Sequence, residues 1–153
     1  MIRHTPCRVW ICRVLLILNL FFIWGNSLLP GSVSLGLSDW VLDILKAIMG
    51  TSGGGTGSGL LRKLAHGGEF ACLSMLLSFY VRMLCKNKSL HIFLPLIFSF
   101  AVACADETIQ LFIPARGPGI LDVGIDTCGA IMGIIVFCGV YYLIKRSIIH
   151  SEE

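Results

Sequence analysis

Four long apolar runs separated by short polar breaks frame this chain: Val9 to Leu29, about Leu60 to Leu84, about Leu90 to Ile113, and about Leu121 to Ile144. A helix needs about 20 predominantly apolar residues to cross the hydrocarbon core, so the pattern predicts four transmembrane helices. Between the first two runs, Leu37, Trp40, Val41, Ile44, Leu45 and Ile48 recur at helical spacing, with Asp39, Asp43 and Lys46 off that stripe. That pattern predicts a short amphipathic helix over Leu37 to Met49, lying at the interface. The glycine- and serine-rich stretch 50–59 reads as a flexible linker. No Gly-Lys-Ser/Thr closes it and no βαβ pattern surrounds it, which argues against a phosphate loop.

Composition agrees with the pattern. The 153 residues are 56% hydrophobic and 14% charged, with a mean hydropathy of +0.84, too apolar for an ordinary soluble domain. The expected fold is all-α: one domain over 1–153, a polytopic membrane protein built as a small bundle of four transmembrane helices with an interfacial segment between the first two. A signal peptide is the rival reading of the first run, since Gly25-Asn26-Ser27 offers a weak small-x-small cleavage site. A retained span is expected, because the run is long and more spans follow. Arg13, inside that run, is expected to snorkel to the basic side.

The formal charge of +3 comes from basic residues that flank the apolar runs, so topology explains it and nucleic acid is not an expected partner. Arg3, Arg8, Arg82, Lys86, Lys88, Lys145 and Arg146 fall on one side of a four-span arrangement, and Lys46, Arg62, Lys63 and Arg116 on the other. The positive-inside bias then places both termini in the cytoplasm of a multi-pass cell-membrane protein. Cys7, Cys12, Cys72, Cys85, Cys104, Cys128 and Cys138 show no paired metal-ligand spacing and read as small packing residues with free thiols.

Several ionisable residues lie within these runs, and a carboxylate at the bilayer centre costs about 2.5 to 3.5 kcal/mol on insertion scales. They must face protein or water. Lys63, His66 and Phe70 share one face of the second run, with Glu69 beside His66. Asp106 and Gln110 are i, i+4 neighbours near the end of the third run, and Glu107 and Gln110 are i, i+3. Arg116 follows in a tight connection made by Pro114, Gly117, Pro118 and Gly119, and its planar guanidinium can bridge carboxylates or grip an anionic ligand at two points. Asp122, Asp126, Gly129 and Gly133 share a face of the fourth run, where the two glycines form a GxxxG pair for close helix approach. With this orientation, the polar residues gather in the outer half of the bundle and the site opens outward.

The strings Lys63-x-x-His66-x-x-Glu69-Phe70 and Asp106-Glu107-x-x-Gln110-x-Phe112-x-Pro114-x-Arg116, followed by Asp122, Gly129 and Gly133, closely resemble the VanZ-like family of small membrane proteins. The resemblance covers about Leu60 to Ile144 and is compatible with the leading span. Asp126 is a departure, since the family pattern usually has Asn four residues after the aspartate. The resemblance implies a link to the envelope: the namesake is associated with low-level resistance to the glycopeptide teicoplanin through lowered antibiotic binding at the cell surface.

Three functions follow as expectations. In the first, the chain binds or modifies an anionic envelope lipid or cell-wall precursor; Asp106, Glu107 and His66 are the candidate acid/base groups, and Lys63, Glu69, Gln110, Arg116, Asp122 and Asp126 the candidate ligand-binding residues. Ser74 and Ser78 form no recognisable nucleophile motif, no cofactor is indicated, and no dedicated metal ligand is assigned. A hard cation held by Asp106, Glu107, Asp122, Asp126 and His66 is a branch of this reading, since carboxylate oxygens suit such ions. The second function is a proton-coupled carrier or flippase, expected as a homodimer because four spans make a small carrier. The third is a non-catalytic scaffold in which the ionic network only locks the helices together.

Overall fold

The first apolar run folds as helix α1 (Pro6–Ser27), which stops just before Leu29, where the ring of Pro30 disfavours helical backbone in the preceding residue. The computed structural model describes residues 6–49, 58–117 and 119–150. Among these, the chain is five α-helices and contains no strand: α1, α2 (Gly31–Met49), α3 (Ser58–Leu84), α4 (Leu90–Gln110) and α5 (Ile120–His150). Four of them, α1, α3, α4 and α5, are long and apolar enough to cross a membrane. The protein is an all-α polytopic membrane bundle.

Helix α2 begins well before Leu37, because the Pro30 carbonyl accepts from the Val33 and Ser34 amides, each at 3.0 Å, and starts a helical turn at once. Residues 50–57 of the expected linker lie outside the described residues, while Ser58 and Gly59 already belong to α3. Helix α4 ends at Gln110, short of Ile113. There the bonding tightens to Phe112 amide to Ile109 carbonyl (3.1 Å) and Ile113 amide to Gln110 carbonyl (3.1 Å), ahead of Pro114. Helix α5 continues past Ile144 because no Gly or Pro follows Gly139 to stop it.

Helix α3 sits at the centre and packs against each of the other four. Phe70 and Leu73 of α3 form the apolar core with Cys12, Leu16 and Ile23 of α1 and Val102 and Ala103 of α4. Along the α3–α5 seam the backbones come together. A Cβ on Gly129 would run into the Gly67 carbonyl, and one on Gly133 into the Ala71 carbonyl. The Ser74 hydroxyl donates across this seam to the Ala130 carbonyl at 2.7 Å. Outward-facing Trp10, Ile17, Phe21, Ile97, Ile135 and Leu143 are exposed, a belt that a bilayer accommodates. All seven cysteines are free. Arg13, expected to extend to the basic end, donates to the Tyr80 hydroxyl at 2.9 Å and lies over that ring.

Candidate functional site

One end of the bundle collects the polar residues, because α1 ends there, α3 begins there, α4 ends there and α5 begins there. The i, i+4 spacing that puts Asp106 and Gln110 on one face of α4 yields a hydrogen bond from Gln110 Nε2 to Asp106 Oδ2 of 2.8 Å. The same oxygen accepts from Ser27 Oγ at 2.7 Å, and Gln110 Nε2 also reaches Ser27 Oγ at 3.3 Å. Asp106 is completely buried, and its Oδ1 has no partner. Glu107, beside it, accepts through Oε2 from the Gly119 amide at 2.9 Å, which ties the start of α5 to the end of α4.

Lys63 and Asp122 meet across α3 and α5 as an ion pair of 2.8 Å. Glu69 accepts from Asn26 Nδ2 at 2.9 Å. His66 lies 3.6 Å from Glu69, too far for a hydrogen bond, and neither of its ring nitrogens has a partner although the residue is only 8% exposed. Asp126 is 2% exposed. Ligand oxygens of Asp106, Glu107 and Asp126 all lie within 4.8 Å of one another, so that, among the described residues, these three form a group that could hold a metal ion. A chamber of about 10 Å³ opens beside them, lined by Arg62, Lys63, His66, Glu107, Gln110, Asp122, Ile125 and Asp126.

Among the described residues Arg116 makes no ion pair with a carboxylate. Its Nε donates to the Leu29 carbonyl at 3.0 Å and its Nη2 to the Asn26 carbonyl at 2.6 Å. These carbonyls stand at the C-terminal end of α1, where the helix dipole favours a cation; that of Asn26 also accepts from the Leu29 amide at 3.3 Å. The same segment receives the α1–α2 turn: the Gly31 amide donates to the Pro114 carbonyl at 3.2 Å, and only glycine fits at 31, because a Cβ there would collide with the Ala115 carbonyl. Ala115 itself has φ 58°, a left-handed turn that brings this carbonyl round. Burial, with Arg62 nearby, pushes the Arg116 guanidinium down from its ordinary value, while Asp106, Glu107 and Glu69 oppose the shift.

The fold thus sets Lys63, His66, Glu107, Gln110, Asp122 and Asp126 around one chamber, with Asp106 clustered against Glu107 and Asp126, and sets Arg116 to one side as a clamp on α1. It also recruits Asn26, Ser27 and Arg62, which the sequence pattern marked only as part of a weak cleavage signal and as a flanking basic residue. Asn26 and Ser27 were legible as polar residues closing an apolar run, a position that calls for partners. Gly129 and Gly133 lie below the chamber in the α3–α5 seam. The Ser74 and Ser78 hydroxyls are taken by backbone carbonyls, Ser78 reaching that of Ser74 at 2.8 Å.

A second space lies beside the chamber. A groove of about 540 Å³ runs between α1, α2 and α3, walled by apolar side chains that include Phe21, Phe22, Leu37, Val41 and Leu61. Its polar lining includes Asn26, Glu69 and Arg62; Arg62 Nε itself is buried and has no partner. Arg62 lines both spaces.

A family model described as VanZ/LLP1 matches residues 11–145, nearly the whole chain. No curated protein and no solved structure matches it.

Proposed function

The chain belongs to the VanZ/LLP1 family, and on that premise we propose that this membrane protein binds an anionic envelope lipid, or a lipid-linked cell-wall precursor of the same chemistry, in the groove between α1, α2 and α3. One observation carries the reading: the groove is apolar along most of its wall, and the partly exposed cationic side chain of Arg62 stands on its lining. An amphiphile with hydrocarbon chains and a phosphate suits both parts, because the chains bury apolar surface and the guanidinium meets the phosphate in a setting of low dielectric. Binding is favoured over turnover. Asp106 Oδ2 is occupied by Ser27 and Gln110, Glu107 Oε2 by the Gly119 amide, and the Ser74 and Ser78 hydroxyls by backbone carbonyls. A link to teicoplanin would follow from the same binding, by withholding lipid-linked precursors at the outer leaflet.

Gly25 allows a direct test, since it lines the groove and an added Cβ there meets nothing within 4 Å. Detergent-solubilised protein is mixed with equal phosphatidylglycerol and phosphatidylcholine, and bound lipid is counted by native mass spectrometry. The wild type is expected to retain phosphatidylglycerol severalfold over phosphatidylcholine. Arg62→Gln should abolish that preference, and Gly25→Phe should reduce retention of both lipids. Equal retention of the two lipids by the wild type would end the reading.

The proposed orientation places the site at the outer face, with both termini cytoplasmic. Support comes from Arg8, Arg82, Lys86, Lys88, Lys145 and Arg146, which gather at the end of the bundle away from the site. In a cysteine-free background, Gly117→Cys should react with an impermeant maleimide on intact cells, and Asn87→Cys only after permeabilisation. The reverse labelling would put the site on the cytoplasmic side.

A further inference from the structure

We propose that Asp106, Glu107 and Asp126 form a binding site for one hard divalent cation, closed on the α3 side by His66. The inference does not rest on lipid binding in the groove. The ligand oxygens of the three carboxylates lie within 4.8 Å of one another, the span of two oxygens facing each other across a cation at about 2.4 Å. Two of the three are already oriented for this. Asp106 is held through Oδ2 by Ser27 and Gln110 with Oδ1 left over, and Glu107 is held through Oε2 by the Gly119 amide. Such outer hydrogen bonds are what fix a carboxylate for metal binding.

His66 is an independent observation. It is 8% exposed, neither ring nitrogen has a hydrogen-bond partner, and it lines the same chamber as Glu107 and Asp126. A buried imidazole left without partners is costly unless something in the chamber meets it. The chamber, at about 10 Å³, has room for about one water-sized sphere, enough for an ion or its water and too little for a larger ligand. His66 lies outside the 4.8 Å cluster, so its part is to hold a water on the cation.

Charge points the same way. Glu69, Asp106, Glu107, Asp122 and Asp126 are answered by Arg62, Lys63 and Arg116, which leaves two carboxylates without a permanent positive counterpart. Among the described residues, Lys63 is paired with Asp122, and Arg116 is turned to the carbonyls of α1; Asp106, Glu107 and Asp126 take part in no ion pair. A doubly charged ion would offset the negative charge that three carboxylates gather here. All-oxygen ligation with no cysteine on the chamber wall selects the calcium, magnesium and manganese class over softer metals.

The test uses the full chain in non-ionic detergent, stripped with EDTA and titrated with Mn²⁺, with free Mn²⁺ read from its electron paramagnetic resonance signal. One Mn²⁺ per chain is expected, displaced by Ca²⁺. Asp126→Asn and Glu107→Gln should each weaken binding at least tenfold, and His66→Gln less. Gly25→Phe should keep the wild-type Mn²⁺ affinity whatever the lipid assay gives, so the two readings fail separately. Should the carboxylate variants not fold, the wild-type melting temperature decides: it must rise with Mn²⁺ over EDTA. No saturable Mn²⁺ binding, no such rise, or an unchanged affinity in folded Asp126→Asn would overturn the site in favour of carboxyls that share protons.

Discussion

Gly133→Leu is expected to remove the protein from the membrane. At this position α5 lies against α3 so closely that even a methyl group meets the Ala71 carbonyl and the Ser74 hydroxyl, and both belong to a helix packed on all the others. A flexible side chain could yield to the insertion; a backbone carbonyl on the central helix cannot. Overpacking a soluble core costs about 1 to 3 kcal/mol, and a branched four-carbon side chain at a backbone-to-backbone contact belongs at or above the top of that range. Separating α3 from α5 also breaks the Ser74–Ala130 bond of 2.7 Å and the Lys63–Asp122 pair of 2.8 Å above it. Gly139→Leu on the same helix is the control, because a Cβ there meets nothing within 4 Å. Fluorescence-detected size-exclusion chromatography of tagged variants should show a normal peak for Gly139→Leu and its loss for Gly133→Leu. Equal peaks would mean that the seam is not formed in the membrane.

The second large effect is expected at Arg116. Its two hydrogen bonds satisfy carbonyls at the end of α1, and bonds to a charged donor are worth about 1.5 to 3 kcal/mol each. Arg116→Ala therefore leaves the Leu29 and Asn26 carbonyls without these donors and frees the turn that carries α1 into α2, one wall of the groove. Arg116→Lys keeps the positive charge near the helix terminus but cannot place two planar N–H donors on two carbonyls, so an intermediate melting temperature is expected. Thermal melting of the purified, lipid-free protein distinguishes this from a ligand-gripping role. A residue kept only for a ligand would leave the lipid-free melting temperature unchanged in Arg116→Ala.

These expectations show where sequence stopped being sufficient. The polar string Asp106, Glu107, Gln110 and Arg116 was conspicuous in an apolar chain, but whether Arg116 answers the carboxylates or a helix end depends on which element its connection touches. That element is the α1–α2 turn, seated through Gly31 on the Pro114–Ala115 segment. Asn26 and Ser27 acquired their partners in the same way: their nearest acceptors, Glu69 and Asp106, lie 43 and 79 residues further along the chain.

The sequence by itself determined what local periodicity and solvent preference can determine. Apolar runs long enough to cross a bilayer became α1, α3, α4 and α5, prolines set the limits beyond which α1 and α4 could not run, and carboxylates on single helix faces had to look inward. GxxxG spacing also marked the face of α5 that approaches a neighbour, since small residues repeated at four-residue intervals form a continuous groove on one helix. Only the tertiary structure decided that this neighbour is α3, that Asp122 pairs with Lys63 while Asp126 joins Asp106 and Glu107, and that a groove lined by α1, α2 and α3 opens beside them. The physical reason is range: helix faces follow from neighbours three or four residues apart, whereas the pairing of faces follows from which close backbone approaches the whole bundle can accommodate at once.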